Sequence, residues 1–381
     1  MPDKPPTKER PRDLDPWHMR RALHLAAKGR GLVEPNPLVG CVIARGAEII
    51  GEGFHARFGG PHAEVNALAV AGARAAGAAM YVTLEPCCHH GKTPPCTEAI
   101  LAAGIREVVV AQEDPFPQVS GGGIAALRAA GVDVTVGVLT AEAERLNAPY
   151  LKLVRQGRPW VIAKWAMTLD GHTATHSGAS RWISNETSRA KVHELRGRVD
   201  AIMVGSGTVA ADDPLLTARP AGPRVATRIV FGRQSMLRLD SQLVRTAADA
   251  PVLFATIHEA PAVQVEQMRN AGCEVFLCPG STPRERADAL FAELGRRRMT
   301  NVLVEGGAGL LGSLFDAGFI DEVHAFVAPK IFGGGPAGVD GTGVADPASA
   351  WSLDDPTIET LAGDVYVHGP VRREARARSR G

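Results

Sequence analysis

The sequence predicts an α/β protein built from two successive units, and three observations lead to that fold class. The chain has 381 residues, which at about 150 residues per domain indicates two or three domains. Short apolar runs alternate with helical patterns along most of its length, as in sheets that are covered by helices. Around residues 156–159 a Gly and then a Pro follow a helical pattern, which marks a boundary between two series of elements.

The first series is predicted to form a domain over residues 15–157. The apolar run at 39–44 predicts its first strand, and 63–75 has the spacing and composition of a helix. Residues 141–155 predict one long closing helix. Between these elements we predict strands at 80–85, 107–111 and 132–138 and helices at 97–104 and 123–131.

The second series is predicted to form a domain over residues 158–370. It holds at least eight strand candidates, which need a sheet of their own. These lie at 160–167, 200–205, 228–232, 252–255, 274–277, 301–305, 322–328 and 364–369.

Both ends of the chain are predicted to be tails. Residues 1–14 are rich in Pro and in mixed charge, which predicts disorder. Residues 371–381 hold five Arg and no pattern that forms a core. A solvated segment is favoured there over a functional basic arm.

Charge and hydropathy exclude several kinds of partner. The 42 basic and 41 acidic side chains give a net charge of +1, which argues against a broad nucleic-acid-binding surface. Arg74 interrupts the longest Ala-rich apolar stretch, so a transmembrane helix is not expected. The charged, Pro-rich start is unlike a signal peptide. We therefore expect a cytoplasmic enzyme of small molecules, with neither a nucleic-acid nor a membrane partner.

The six cysteines are unevenly distributed. Three of them, Cys87, Cys88 and Cys96, fall within ten residues. In a chain without an export signal, such crowding indicates metal or redox chemistry rather than disulfides. The others, Cys41, Cys273 and Cys278, fall on strand patterns and are predicted to be small core residues.

His62, Cys87 and Cys96 form a candidate zinc site. His62 opens a predicted helix, Cys87 follows the strand at 80–85, and Cys96 opens the next helix. One imidazole and two thiolates suit Zn²⁺ with a fourth position open to water. We expect both Cys at helix N-termini, where the helix dipole favours thiolates. Glu64 is placed to carry protons, as in the H-x-E and P-C motifs of zinc nucleobase deaminases.

Other interpretations of this cluster remain open. His89 or His90 would be a fourth ligand if the zinc were structural and closed, which would fit a protein without enzymatic activity. A deaminase of tRNA or of another nucleobase, with an accessory C-terminal domain, is a further alternative. We interpret Cys88 as a packing residue, because its side chain should point away from that of Cys87.

The second half carries a different set of polar and glycine-rich stretches. Glu305 ends a predicted strand, and the glycines that follow enter a helix. Such a turn either binds a pyrophosphate through backbone amides or is only a turn. Asp212 and Asp213 precede a Pro, where a carboxylate pair is more often a cap or turn than a metal site. None of the stretches 164–184, 195–219 and 302–311 is by itself a G-x-G-x-x-G fingerprint, which argues against a Rossmann domain.

Several stretches of the first half together resemble a known enzyme family. They are PNPLVGCVI, GEGFH, PHAEVNAL, YVTLEPCCHHGKTPPC and DPFPQVSGGGI. They are similar to the deaminase half of the bifunctional deaminase/reductases of riboflavin biosynthesis. These enzymes deaminate 2,5-diamino-6-(5-phosphoribosylamino)pyrimidin-4(3H)-one.

This resemblance implies an α/β/α cytidine-deaminase-like fold and one Zn²⁺ per chain. The ligands would be His62, Cys87 and Cys96, with Glu64 as the proton shuttle. The chain has Phe116 where the family carries Asn, which removes a hydrogen-bonding group and leaves ring stacking as a replacement. By resemblance, the residues that hold the deaminase substrate are Asn36, His55, Lys92 and Asp114.

The stretches 164–184, 195–219 and 302–311 resemble the reductase half of the same family. This implies a dihydrofolate-reductase-like α/β domain that reduces a ribosyl group to ribityl with NADPH, in a homo-oligomer. Arg196 and Arg219 suit a phosphate, Trp182 offers a flat face to an aromatic ring, and Lys164 is the candidate proton donor. The implied cofactor contacts are Ala166, Trp182, Thr208, Asp212, Gly307, Ala308, Gly309, Leu310 and Leu311. The implied substrate contacts are Lys164, Ser180, Arg196, Leu216, Arg219 and Glu305.

Overall fold

The structure is a computed structural model that describes residues 15–89, 94–232 and 238–372. The chain divides into two compact units between Gln156 and Gly157. The predicted N-terminal tail, 1–14, lies outside the described residues, as does the segment 373–381.

The first unit contains a mixed sheet of five described strands in the order β2-β1-β3-β4-β5. Strand β1 is antiparallel to both of its neighbours, β2 and β3, and the strands β3, β4 and β5 are parallel to one another. The strands are β1 (Gly40–Arg45), β2 (Glu48–Phe54), β3 (Ala79–Val82), β4 (Glu107–Val110) and β5 (Asp133–Val136). The helices are α1 (Asp15–Ala27), α2 (Ala63–Ala71), α3 (Cys96–Ala102), α4 (Gly122–Ala129), α5 (Thr140–Leu146) and α6 (Ala148–Gln156).

Helices cover both faces of this sheet. On one face, alternate strand residues such as Val108 pack against residues of α2, α3 and α4, among them Ile100 and Leu127. On the other face, Val109 and its neighbours pack against Met19 of α1 and Ala143 of α5. Successive strand side chains point to opposite faces, so the apolar runs of the sequence serve both layers. The predicted three-layer α/β/α fold is confirmed.

Two helix predictions in the first unit were wrong in extent. The helix predicted at 63–75 ends at Ala71 and continues as a 3₁₀ turn, Gly72–Ala75. The helix predicted at 141–155 is divided into α5 and α6 at Asn147. The Asn147 side-chain amide pairs with the Leu38 backbone, accepting from its N–H at 2.8 Å and donating to its carbonyl at 2.9 Å. Pro149, which lacks an N–H, is the second residue of the next helix, where no hydrogen bond from its nitrogen is needed.

Strand β2 was not predicted, because two glycines interrupt its apolar pattern. The structure gives them a packing reason. A Cβ on Gly53 would overlap the Ala63 carbonyl and the Ala67 amide of α2. The missing side chain therefore lets α2 lie directly on β2, and α2 is the helix that carries Glu64.

The second unit contains a mixed sheet of nine described strands in the order β10-β9-β8-β7-β11-β6-β12-β14-β13. The strands from β10 to β12 in this order are parallel to one another, and β14 is antiparallel to both of its neighbours, β12 and β13. The strands are β6 (Trp160–Thr168), β7 (Ala201–Gly205), β8 (Thr227–Phe231), β9 (Val252–Ile257), β10 (Glu274–Cys278), β11 (Asn301–Glu305), β12 (Glu322–Ala328), β13 (Thr357–Leu361) and β14 (Asp364–Pro370). The helices are α7 (Glu186–Arg196), α8 (Ser206–Asp212), α9 (Gln242–Arg245), α10 (Ala262–Asn270), α11 (Pro283–Arg296) and α12 (Ala308–Asp316).

All eight strands predicted in this unit are present, and β13 was missed. Strand β13 lies at the sheet edge with four exposed residues and one half-buried residue, so it has no apolar alternation to detect. The basic tail was predicted to begin at 371, but Val371 is buried in the core and its amide donates to the Asp321 carbonyl at 2.8 Å. An apolar Val at the end of β14 continues the sheet face, which a charge count alone does not reveal.

The predicted core cysteines Cys41, Cys273 and Cys278 are buried and carry free thiols. Within the described ranges, no helix combines the length and apolar character needed to cross a bilayer.

Candidate active sites

The three predicted zinc ligands converge in the first unit. His62 Nδ1 lies 3.5 Å from Cys87 Sγ and 3.3 Å from Cys96 Sγ. All three ligand atoms lie within 4.8 Å of one another. His62 is the extended residue that precedes α2, and Cys96 is the first residue of α3. One nitrogen and two sulfur donors at this spacing fit a single zinc ion.

Cys87 was expected at a helix N-terminus, and this prediction was wrong. It lies in the irregular segment that follows β3. A helix N-terminus still faces it, because the backbone amide of Cys96 at the start of α3 donates to Cys87 Sγ at 3.3 Å. Hydrogen bonds from the Cys96 side chain, from His62 and from this amide lower the pKa of Cys87. The sulfur is therefore ready to act as a thiolate ligand.

Glu64 lies beside this cluster in the first turn of α2 and is 3% exposed. Its Oε2 is buried and has no hydrogen-bond partner among the described residues. Burial raises the pKa of Glu64 to about 7. A carboxyl group with such a pKa can both accept and return a proton near neutral pH.

A closed structural zinc would need a fourth protein ligand, for which His89 and His90 were the candidates. The ligand cluster found among the described residues has three members, and His89 is not one of them. His90 lies outside the described residues. Cys88 is also separate from the cluster: its Sγ packs close to Gly122 at the start of α4, in keeping with a packing residue.

Asn36 and His55 are joined by a hydrogen bond at the side of the cluster. The Pro61 carbonyl accepts from His55 Nδ1 at 3.0 Å, so Nε2 accepts from the Asn36 amide at 3.1 Å. The His55 ring meets the His62 ring edge-on, with 5.4 Å between ring centroids. His55 is 3% exposed, and burial lowers its pKa. The neutral His55 fixes the orientation of the Asn36 amide.

Asp114 lies in the segment that follows β4, and its side chain is buried and hydrogen-bonded. Its Oδ1 accepts from the Tyr150 hydroxyl at 2.8 Å and from the Phe116 amide at 2.9 Å. Burial raises its pKa. The fourth predicted substrate residue, Lys92, lies outside the described residues.

Sequence reasoning missed Tyr150, and it also missed Glu85. The carboxylate of Glu85 accepts from the amide of Asp114 at 3.2 Å. A signal for Glu85 was present, because a charged residue directly before the Pro-Cys motif needs partners if the chain is buried there. Tyr150 had no comparable signal within its helical pattern.

The second unit has an open cavity of about 1100 Å³. It lies at the carboxyl ends of parallel strands, where ligands bind in open α/β sheets. Every cofactor and substrate contact implied for the reductase lines this one cavity. These residues are Lys164, Ala166, Ser180, Trp182, Arg196, Thr208, Asp212, Leu216, Arg219, Glu305, Gly307, Ala308, Gly309, Leu310 and Leu311.

A buried ion-pair network forms the inner end of the cavity. Glu305 at the end of β11 lies opposite Lys164 of β6 in the parallel register. Arg196 binds Glu305 with two hydrogen bonds of 2.5 and 2.9 Å, and Lys164 Nζ lies 3.4 Å from the same carboxylate. Burial alone would raise the pKa of Glu305, but the two cations lower it to about 2. Burial lowers the pKa of Lys164.

Trp182 forms a wall of the cavity and is 63% exposed. The guanidinium carbon of Arg189 lies 4.6 Å from the Trp182 ring centroid, and that of Arg181 lies 5.9 Å away. Sequence reasoning missed both Arg residues. They hold one side of the indole by cation–π contact.

The Gly-rich loop can approach a ligand, whereas Asp213 of the acidic pair has a structural role. Gly306 and Gly307 both have positive φ and precede α12, so the loop needs glycine and opens onto a helix N-terminus. Asp213 uses its carboxylate to accept from the Gln242 amide at the start of α9, at 2.9 Å. It therefore caps a helix, and the turn interpretation of the acidic pair is favoured over a metal site.

Comparisons with known proteins give each unit a family. The family described as "Cytidine and deoxycytidylate deaminase zinc-binding region" matches residues 12–112. The family described as "RibD C-terminal domain" matches residues 159–367. The chain thus joins a zinc-binding deaminase domain to a reductase domain.

Curated relatives match both units at once. "Riboflavin biosynthesis protein RibD" of Actinobacillus pleuropneumoniae is 41% identical over 357 residues, covering 93% of this chain and 94% of the relative. The protein of that name from Escherichia coli K12 is 41% identical over 366 residues, covering 93% of this chain and 98% of the relative. The chain belongs to the RibD family of bifunctional deaminase/reductases of riboflavin biosynthesis.

Solved structures agree with this assignment. The structure of Acinetobacter baumannii RibD superposes with a TM-score of 0.81 at 34% identity, covering 95% of this chain and 99% of that one. A Thermotoga maritima protein gives a TM-score of 0.81 at 36% identity, covering 94% of this chain and 99% of that one. It is described as a diaminohydroxyphosphoribosylaminopyrimidine deaminase/5-amino-6-(5-phosphoribosylamino)uracil reductase.

Proposed function

We propose that the chain carries out two successive steps on a phosphorylated pyrimidine. The first unit removes the exocyclic 2-amino group of 2,5-diamino-6-(5-phosphoribosylamino)pyrimidin-4(3H)-one by hydrolysis. The second unit reduces the ribosyl group of the resulting 5-amino-6-(5-phosphoribosylamino)uracil to ribityl with NADPH. The name of the Thermotoga maritima relative supports this order of substrates.

One observation carries the deaminase proposal: three N and S donors converge beside a buried carboxyl group. His62 Nδ1, Cys87 Sγ and Cys96 Sγ would hold one zinc ion. When bound, zinc supplies the Lewis acidity that lets water attack near neutral pH. Glu64 accepts the proton of the attacking water and returns protons to the ring and to the departing amine. The amine needs this proton because it leaves readily only as ammonia.

The residues around the cluster hold the pyrimidine. The Asn36 amide, oriented by His55, reads the edge of the base. Asp114 accepts a hydrogen bond from the substrate, while Tyr150 keeps its carboxylate in place. Lys92 would neutralise the substrate phosphate, as its place in the family motif implies.

In the second unit, the cavity has room for a nicotinamide cofactor beside a substrate. The loop of Gly306 and Gly307 lets backbone amides approach a pyrophosphate at the start of α12. The exposed Trp182 face is available to an aromatic ring. When bound, NADPH supplies the hydride, which we propose is delivered to the ribose C1′. Lys164, held against Glu305, is the proposed proton donor.

The remaining substrate contacts follow from charge. Arg196, which was predicted to suit a phosphate, is engaged by Glu305, and we propose that this pair contacts the sugar hydroxyls instead. Arg219 is exposed at the cavity and is the proposed partner of the phosphate. A cytoplasmic location, a homo-oligomeric state and the absence of nucleic-acid partners stay predictions from the sequence.

Both steps are tested in a single incubation with the diaminopyrimidinone phosphate and NADPH. We expect ammonia release to precede the loss of absorbance of the reduced nicotinamide. Adding the deaminated uracil directly should start the absorbance loss at once. Absorbance loss with the diamino compound but without ammonia would contradict the proposed order, and no ammonia at all would contradict the deaminase proposal.

A further inference from the structure

Glu85 is a buried carboxylate that the proposed chemistry does not use. It is 4% exposed, and its partners are four backbone amides. Oε2 accepts from Asp114 at 3.2 Å and from Gly121 at 3.0 Å. Oε1 accepts from Gly123 at 2.9 Å and from Ile124 at 3.1 Å. Because all four donors belong to residues 114–124, the Glu85 carboxylate ties distant parts of this stretch of backbone together.

Three of these donors belong to the start of α4. Gly121 precedes the helix with φ of 75° and has no side chain that could cap it. The first amides of a helix have no partner within the helix, and a negative charge is favoured at this end. Glu85, which comes from the segment after β3, supplies the missing cap.

The fourth donor links this cap to the candidate substrate site. It is the amide of Asp114, whose side chain accepts from Tyr150 and from Phe116. Asp114 is therefore fixed at its backbone by Glu85 and at its side chain by Tyr150. Turn hydrogen bonds shape the middle of the segment 114–121, such as that from the Val119 amide to the Phe116 carbonyl at 2.8 Å, and the Glu85 carboxylate joins its two ends.

The same carboxylate lies two residues before the zinc ligand Cys87. A Cβ on Gly123 would overlap the Pro86 carbonyl, so the start of α4 lies directly on the peptide that leads to Cys87. The position of Asp114 relative to the metal cluster is thus set through Glu85 and the backbone on either side of it.

We infer that Glu85 is a positioning residue for the deaminase, which holds the segment 114–121 and its Asp114 against the zinc-ligand segment so that the pyrimidine binds in one orientation. This inference rests on the proposed deamination. Binding groups must be held closely to their productive geometry by the residues that support them. Loss of Glu85 should therefore weaken substrate binding more than it slows the chemical step.

The test is Glu85→Gln in the full-length, zinc-loaded protein. Glutamine has the same size, but its NH₂ group faces amide donors where an oxygen had accepted from them. We expect KM for the diaminopyrimidinone phosphate to rise about tenfold, in line with the loss of hydrogen bonds to a charged group. The kcat for ammonia release, the zinc content and the reductase rate should stay near those of the wild type.

Three further variants make the result specific. Glu113→Gln changes the exposed residue directly before this segment and should leave KM unchanged. Glu85→Asp keeps the charge on a shorter side chain and should give an intermediate KM. Combining Glu85→Gln with Asp114→Asn should raise KM by less than the product of the two separate effects, because both act on one contact.

The outcomes separate the inference from the proposed function. An active wild type with an unchanged KM in Glu85→Gln overturns the inference alone. Loss of zinc, or a fall in kcat at unchanged KM, also overturns it, because Glu85 would then serve the fold or the metal instead. A zinc-loaded wild type that releases no ammonia contradicts the proposed function itself, and the inference fails with it.

Discussion

In the first unit the buried carboxylate Glu85 is bound by four neutral backbone amides, whereas in the second unit the buried Glu305 is bound by two cationic side chains. Glu85 receives its hydrogen bonds from the segment that it holds. Glu305 instead pairs with Arg196 and Lys164, which line an open cavity. Both carboxylates come at or just after the end of a strand.

The difference reflects what each site has to hold. The metal cluster needs ligands that are already close together, and backbone hydrogen bonds give a fixed geometry. The cavity has to admit a cofactor and a phosphorylated sugar, so it keeps its volume and is lined by charged side chains that can bind a ligand. The amides that Glu85 caps are instead used within the protein.

The largest expected effect concerns Glu64. Glu64→Gln removes the proton carrier beside the metal cluster, and ammonia release should fall by about 10²–10⁴-fold. Zinc binding and the reductase rate should be unchanged, because neither uses this carboxylate. Ammonia release, zinc content and nicotinamide oxidation are measured on one preparation. Normal deamination by this variant would refute the role of Glu64.

The second effect is on stability. Glu305→Gln leaves Arg196 and Lys164 buried without a counter-charge, so the free energy of unfolding should fall by about 3–5 kcal/mol. Urea unfolding followed by tryptophan fluorescence reports chiefly on the second unit, since Trp160, Trp165, Trp182 and Trp351 lie there. Glu194→Gln, which breaks the two partly exposed helix pairs of Glu194 with Lys191 and Arg198, should cost at most about 1 kcal/mol. Equal effects of the two substitutions would contradict the comparison.

A smaller effect is expected at the rim of the cavity. Arg219→Ala should raise KM for the ribosylaminouracil phosphate about tenfold, through loss of a charge-assisted hydrogen bond. Ammonia release should stay as in the wild type. Arg238→Ala, which removes an exposed Arg that is paired with Asp240, is the matched control. An unchanged reductase KM would remove Arg219 from the phosphate site.

The last prediction concerns the pH dependence of the stability difference between the wild type and Glu305→Gln. The pKa of Glu305 is lowered to about 2, so its stabilisation is complete above its unfolded pKa of about 4.3. It is lost progressively as the pH falls from there toward 2. The wild type and Glu305→Gln should therefore converge in unfolding free energy over this range. A constant difference would show that the ion-pair network does not set the pKa of Glu305.

Much of the fold followed from local patterns in the sequence. Strands with apolar runs, such as β11, were predicted because both of their faces are buried. The strands β2 and β13 were missed for opposite reasons: Gly53 makes room for α2, and β13 is almost wholly exposed. The helix division at Asn147 was missed because its cause is a contact with Leu38, 109 residues away.

The candidate sites were predictable where the motif itself carries the chemistry. His62, Glu64 and Cys96 follow from ligand type and from their places at helix starts. Glu85 and Tyr150 were missed because their partners are backbone amides and a carboxylate that only the folded chain brings near. Individual contacts in the reductase cavity came from resemblance, since lone Arg and Ser residues have no pattern of their own.

We propose that one chain carries two sites that work independently, and that the metal belongs to the first site. The most direct measurement strips the protein of metal with a chelator and then assays both half-reactions separately. We expect ammonia release to stop and to return on adding Zn²⁺, while reduction of the supplied ribosylaminouracil phosphate by NADPH continues at the rate of the untreated protein. Ammonia release that survives complete metal removal would refute the metal site of the first unit, and reduction that is lost with the metal would refute the independence of the second.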